Sequence, residues 1–220
     1  MFSYFGCKSR IAHMYPQPRH KLVFESMAGS ARYALEHSAT RDVWINEINP
    51  TVYGIWKYIQ DSSRTDIEVL PELGPGDSIW DYEFLTQAER DLLGFALNNA
   101  VAVPRYTATS WAGMNGECRK LKERILKYHS RIKDWKITNL DYKELENVEA
   151  THFIDPPYQK IHNPYPNGLI NYNHLKDWCL SRQGQVIVCE GVGANWLPFR
   201  SLTTEHHGRR GETTELVWTR

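Results

Sequence analysis

Short β-prone runs alternate with helix-like segments at both ends of this chain, and that alternation constrains its fold more than any other feature. "HKLVFES" (20–26) reads as a strand, followed by the small-residue turn "MAGSA" and the helix-like "RYALEHS". "DVWINEI" (42–48) is a second strand. "NPTVYGIWKYIQ" (49–60) reads as a helix with Asn49 at its N-cap and Pro50 in its first position. Beyond residue 135 the alternation resumes. "WKITNLDY" and "ATHFIDPPY" predict strands, "NHLKDWCLSRQG" (173–184) a helix ending at Gly184, and "QVIVCEG" a strand behind it. "RSLTTEHH" and "TTELVWTR" predict a closing hairpin. Such alternation builds an α/β fold around a mostly parallel sheet, to which the hairpin adds antiparallel strands.

Between about Gln60 and Trp135 the pattern breaks. An acidic stretch, "PELGPGDS", leads into two predicted helices, "TQAERDLLGFALNNAV" and "NGECRKLKERILKYHSRIKDW". In the second, Leu121, Ile125, Tyr128, Ile132 and Trp135 recur at helical spacing and form one apolar face, which leaves the basic residues on the others. The polar, aromatic "PRYTATSWAGMN" lies between the helices. The expected organisation is a core from 1–60 and 136–220 with an inserted helical subdomain at 61–135.

The formal net charge is zero, which gives no indication of wholesale coating of nucleic acid but leaves a local basic face open. Residues 61–91 carry nine acids against Arg64 and Arg90, whereas 119–136 carry eight Lys/Arg against Glu123 and Asp134. The basic segment can meet phosphates or serve only as a solvated helix face. The four cysteines lack CxxC spacing, and a chain of 220 residues can bury a core without staples, so reduced thiols in a cytoplasmic protein are expected. The nine histidines show no zinc spacing, so no metal site is expected. No run approaches transmembrane length, and "MFSYFGCKSR" has no apolar signal core.

Two stretches carry chemistry. In "FESMAGSARYAL" a strand, a glycine-containing turn and a helix N-terminus follow one another, an arrangement that lets backbone approach a ligand closely. Glu47 ends the next strand, 18 residues after Gly29, where an acid can accept both hydroxyl hydrogens of a ribose. By itself the turn fits ordinary packing as well, and one glycine falls short of a dinucleotide fingerprint. The chain has no GxxxxGK[ST] motif, which argues against an ATPase. The second stretch is Asp155-Pro156-Pro157-Tyr158. Proline lacks an N–H and constrains the residue before it, so Asp155 and Pro156 stay extended. A carboxylate, a carbonyl and an aromatic wall then suit an exocyclic amine on a planar base. Read alone, the same four residues fit a proline-rich turn with a surface tyrosine.

Taken together and in order, these stretches resemble the Dam-like DNA adenine-N6 methyltransferases, over nearly all of the chain. "YFGCK" resembles that family's aromatic-Gly-Lys motif, "FESMAGSA" its EPFxGSG motif and "INEIN" its NDIN-like motif. "NLDY" resembles the GDF/DY element, "DPPY" the catalytic motif and "TTELVWTR" the closing strand. The insertion also falls between the cofactor half and the DPPY half. Ser26, Met27, Ala31, Glu47 and Cys7 depart from the family pattern.

The resemblance implies a Rossmann-like, site-specific, adenine-specific DNA methyltransferase, bacterial or phage-encoded, monomeric, of the kind found in restriction-modification systems. It implies S-adenosylmethionine as donor. Lys8 would meet the methionine carboxylate, with the Phe5-Gly6 backbone alongside. Glu25, Ala28, Gly29 and Ser30 would lie near the methionine moiety, and Glu47 on the ribose. Asp141 would bond the cofactor adenine, with Ile48 and Tyr142 near its faces. Lys8 also fits a surface ammonium, and Asp141 a turn or helix cap before "YKELEN". Asp155 and the Pro156 carbonyl would accept the N6 hydrogens of a flipped adenine beside the donor, and Tyr158 would stack on its ring.

Arg105, Tyr106, Ser110, Trp111 and Asn115 are candidates for DNA contact, and Lys120, Arg124, Lys127 and Arg131 for phosphates. The segment "QKIHNPYPNGLINY" is a candidate lid, with Tyr165 or Asn163 at the flipped nucleotide, or an ordinary connector. Two other functions stand beside this one: methylation of RNA or a protein amide, and a non-catalytic DNA-binding module.

Overall fold

The computed structural model describes the chain except residues 99–100, 161–164, 166–169 and 207–211. The strands are β1 (Leu22–Glu25), β2 (Asp42–Asn46), β3 (Lys136–Thr138), β4 (Ala150–Ile154), β5 (Gly184–Gly191), β6 (Arg200–His206) and β7 (Glu212–Thr219). The helices are α1 (Arg32–His37), α2 (Pro50–Asp61), α3 (Arg64–Glu68), α4 (Gln87–Leu97), α5 (Ser110–Met114), α6 (Glu117–Ile132) and α7 (Tyr172–Ser181). The chain divides into two compact units: Lys8–Ile48 with Thr138–Arg220, and Met1–Cys7 with Asn49–Ile137.

The sheet runs β3-β2-β1-β4-β5-β7-β6. β2, β1, β4 and β5 are parallel, β7 is antiparallel to β5, and β6 to β7. This is the α/β fold with a mostly parallel sheet and closing hairpin that the sequence predicts. The central strands are buried on both sides, so they read as continuous apolar runs rather than alternating ones. On one face Phe24 stacks on Trp44 at 3.9 Å, within a core shared with Trp178 and Leu175 of α7. On the other, Phe153 stacks on Tyr33 of α1 at 4.3 Å and meets the edge of Tyr15. Connections from β1 to β2 run one way along the sheet and β4 lies on the other side of β1, so strand order reverses between β1 and β4. In open α/β sheets the crevice outside the strand ends at such a reversal is where ligands bind.

α7 stops at Ser181, three residues before the expected end, and Gly184 begins β5. Gly184 has φ +98°, and a Cβ there would meet the Ala150 carbonyl oxygen at 2.3 Å. The glycine therefore serves the close approach of β5 to β4 rather than the end of a helix.

The helical unit differs from the expected insertion at both borders. α2 packs with α4 and α6, and Gln60 Nε2 donates to the carbonyl oxygens of Ile132 and Trp135 beyond the last turn of α6. Met1 and Phe2 are buried there too, with Phe2 against Trp56 and Phe95. α6 buries Cys118, Leu121, Ile125, His129 and Ile132. His129 replaces the expected Tyr128 on that face, its Nε2 2.9 Å from the Ser62 carbonyl oxygen.

Candidate active site

The register sets the level of the site. Glu25 pairs with Ile45 on β2 and with Phe153 on β4. Glu47 and Asp155 each stand two residues beyond those partners, on either side of β1. Asp155 also follows Ile154, the partner of Val188, and so arrives beside Cys189 of β5. On the next strand Glu215 pairs with Gly191. Cross-strand partners share a face, and a glycine leaves that face open for Glu215.

Asp155 and Glu215 form one charged cluster with Lys8. Lys8 Nζ lies 3.1 Å from Asp155 Oδ1, 3.7 Å from Glu215 Oε1 and 4.7 Å from the centre of the Tyr158 ring. The hydroxyls of Tyr158 and Tyr15 donate to Glu215 Oε1 at 2.5 and 2.7 Å. Asp155, Cys189 and Glu215 bring ligand-type atoms within 4.8 Å of one another, and the cation beside them is the Lys8 ammonium. Burial opposes the charge on Lys8, but Asp155 and Glu215 outweigh it and hold its pKa above the ordinary value. Burial pushes Asp155 up, Lys8 pulls it down and Glu215 pushes it up again, for a net pKa of about 6. Burial also raises the Tyr158 hydroxyl and the Cys189 thiol, which are neutral at pH 7.

The segment after Asp155 is pinned from two sides. Glu190 Oε1 accepts from the Gln159 N–H at 2.8 Å and from Trp196 Nε1 at 3.0 Å, while its Oε2 accepts from the Gly191 N–H. The Tyr172 hydroxyl donates to the Pro157 carbonyl oxygen at 2.6 Å. Burial, followed by the charges of Asp155 and Glu47, raises the Tyr165 hydroxyl, so this residue of the expected lid lies near both acids. Asn163 lies outside the described residues.

At the other end of the site Glu47 Oε2 accepts from the Gly29 N–H at 2.7 Å. Gly29 and Ala31 take left-handed φ values of +49° and +47°, and the turn between them carries Ser30. Glu25 Oε2 accepts from the Ala34 N–H in the first turn of α1, where Ala31 provides no side-chain cap. Asn46 joins three strand ends: its Nδ2 donates to the Ser26 and Leu140 carbonyls, and its Oδ1 accepts from Thr138 Oγ1.

The structure brings Lys8, Asp155 and Tyr158 together, and closes the Ala28-Gly29-Ser30 turn on Glu47. Asp141 caps a 3-10 helix in a reciprocal capping box with Glu144, the alternative role its sequence context allows. Tyr142 differs from its expected role. Its ring is in the core against Trp178 and its hydroxyl lies 2.8 Å from His174 Nδ1, so packing fixes it away from a ligand-facing role. Ile48 is exposed. Phe5 and Gly6 belong to the helical unit, where the Phe5 N–H donates to the Val101 carbonyl.

Of the candidate DNA residues, Arg105, Ser110 and Asn115 are exposed, and Trp111 lies in α5. The Tyr106 hydroxyl donates to Asp91 at 2.7 Å. Lys120 and Arg124 both pair with Glu117, which draws them into α6's own electrostatics. Lys127 and Arg131 are exposed and flank the Tyr128 ring.

Sequence reasoning missed Tyr15, Cys189, Glu190 and Glu215. The two acids carried one signal, since each interrupts a β-prone run, "QVIVCEG" or "TTELVWTR". Tyr15 and Cys189 carried none.

No family model matches the chain, and no curated protein matches it. A conserved hypothetical protein of Streptococcus pyogenes has a solved structure similar to this chain at a TM-score of 0.38 and 8% identity, over 89% of this chain and 84% of that one. Among the described residues no helix is long and apolar enough to cross a membrane.

Proposed function

We propose that this chain is a Rossmann-like, S-adenosylmethionine-dependent methyltransferase whose acceptor is the N6 amine of an adenine extruded from DNA. The observation that carries this reading is the placement of Asp155. Its carboxylate ends β4 beside the strand-order reversal, level with Glu47, and shares the Lys8 ammonium with the Tyr158 ring.

The residues fit the donor. A diol offers two hydrogens to a carboxylate at the end of β2, the position of Glu47. The Gly29 turn keeps backbone without bulk at the neighbouring strand end. Ser26 Oγ, buried in that turn, has no hydrogen-bond partner among the described residues and can bond a ligand. Lys8 offers a cation to a carboxylate. S-adenosylmethionine, when bound, supplies an electrophilic methyl group.

The chain's own residues supply the rest. Asp155 and the Pro156 carbonyl would accept the two N6 hydrogens and direct the amine lone pair; the Pro157 carbonyl is already taken by Tyr172. The Tyr158 ring would stack on the base, with its hydroxyl fixed by Glu215. Methylation would break the donor's S–CH3 bond and leave a neutral thioether; the N6 proton then lost would pass to the Asp155 carboxylate bonded there. Preoriented acceptors help most where charge develops, and a fixed base supplies the proximity contribution. Lys127 and Arg131 are the phosphate candidates that α6 presents outward.

The test is incubation of the protein with methyl-labelled S-adenosylmethionine and unmethylated DNA, followed by digestion to nucleosides. Labelled N6-methyl-2′-deoxyadenosine supports the reading. Donor binding without labelled DNA moves the acceptor to RNA or a protein amide. A folded chain that binds no donor is a non-catalytic module.

A further inference from the structure

Glu215 is not among the candidate site residues that the sequence motifs single out, yet its Oε1 is the point on which three groups converge. Tyr158 and Tyr15 donate to it, and Lys8 lies 3.7 Å away. Its backbone is held between β5 and β6, opposite Gly191 on one side and Thr203 on the other. A side chain on a strand paired on both sides is fixed more tightly than one on a loop, so Glu215 can set the positions of its partners.

We propose that Glu215 is a positioning residue of the Asp155 site: its carboxylate fixes the Tyr158 ring and the Lys8 ammonium, and with them the charge that Asp155 carries. Its part in catalysis rests on the methyltransferase reading; its effect on Asp155 does not. Asp155 is faced by Lys8 from the N-terminal segment, Tyr158 from its own loop, Cys189 from β5 and Glu215 from β7; Tyr15 and Tyr165 lie close by. Among these, Lys8 favours the ionised carboxylate and Glu215 disfavours it. Glu215 thus acts in two opposed ways: it orients the hydroxyl and ammonium that support Asp155, and it repels the Asp155 charge directly. Two variants separate them. Glu215→Gln keeps the shape and an acceptor oxygen but removes the charge. Tyr158→Phe keeps the ring and removes the hydroxyl, which also supports the ionised Asp155.

The experiment follows the Asp155 side-chain carboxyl by 13C NMR across pH in the ligand-free chain, with Asp155→Asn to assign the signal and circular dichroism to confirm the fold. Glu215→Gln is expected to lower the Asp155 midpoint by about one pH unit, and Tyr158→Phe to raise it. The acid limb of methyl transfer is expected to move with each midpoint. A role confined to packing would lower the rate without moving either. An unmoved midpoint in folded Glu215→Gln overturns the proposal. If that variant does not fold, an unmoved midpoint in Tyr158→Phe overturns it. The titration needs no substrate, so opposite shifts in a chain that transfers no methyl would uphold Glu215 while removing the methyltransferase reading.

Discussion

The backbone N–H of Gln159, the residue directly after Tyr158, donates to Glu190 Oε1 at 2.8 Å. Glu190 is fully buried, and Trp196 Nε1 and the Gly191 N–H donate to it as well. One acid thus ties the motif loop, the end of β5 and the following loop together. Glu190→Leu leaves three donors without their acceptor. Each buried donor stranded in this way costs about 1–3 kcal/mol, so a loss of at least ~3 kcal/mol in urea unfolding is expected. A loss below ~1 kcal/mol would show that water replaces Glu190 easily.

Asp155→Asn keeps the shape of the side chain but removes the carboxylate charge and one acceptor. Methyl transfer is expected to fall by about 10²-fold or more, by analogy with other oriented polar groups. Donor affinity measured by calorimetry should fall far less. Equal losses in both would place Asp155 in binding rather than in the reaction.

The pH profile follows from the Asp155 pKa of about 6. The carboxylate must be ionised to accept from N6. Turnover should be flat at higher pH and decline tenfold per unit as pH falls below about 6. A limb near the ordinary carboxylate value would mean that the site does not hold Asp155 in its buried setting.

Glu47→Gln retains a carbonyl oxygen for the Gly29 N–H, the bond that closes the turn at 2.7 Å. Thermal stability should change by about 1 kcal/mol or less, because a neutral acceptor replaces a charged one. The amide cannot accept both hydrogens of a diol through two oxygens. S-adenosylmethionine is therefore expected to bind about tenfold or more weakly, as calorimetry would show. Unchanged affinity would remove Glu47 from the donor site.

His152 lies fully buried on β4, and burial pushes its pKa from 6.5 down to about 4. Its Nε2 is 3.0 Å from the Val148 carbonyl and 3.1 Å from that of Gln183, so this nitrogen carries the proton and donates to both. The native state keeps the ring neutral while the unfolded chain protonates first. Stability present above pH 6.5 is therefore lost as pH falls from 6.5 toward 4, in total roughly 3 kcal/mol from this residue. Urea unfolding along that range checks it, and His152→Gln, which cannot take up a proton, should flatten the slope.

The sequence by itself determined the alternation of strands and helices at both ends of the chain, the parallel core with its closing hairpin, and the long helix α6. Each rests on local signals: β-prone runs, the Asn49 cap, and the spacing of Leu121, Ile125 and Ile132. It also placed Asp155 and Glu47 at strand ends, because the residues that stop a strand are visible beside it. Partners that meet across many strands were not legible. Only register brings Glu215 of β7 to Tyr158 and Lys8, some two hundred residues apart in sequence for Lys8 and Glu215. Likewise, nothing local separates a ligand-facing Tyr142 from a core one, or an outward Lys120 from one paired with Glu117. The two borders of the helical unit had the same cause, since α2 and Phe2 join it through aromatic packing that spacing along the chain does not encode. Backbone preference acts between neighbours and was readable; burial, charge and their pKa consequences arise where distant segments exclude water together, and the tertiary structure alone decided those.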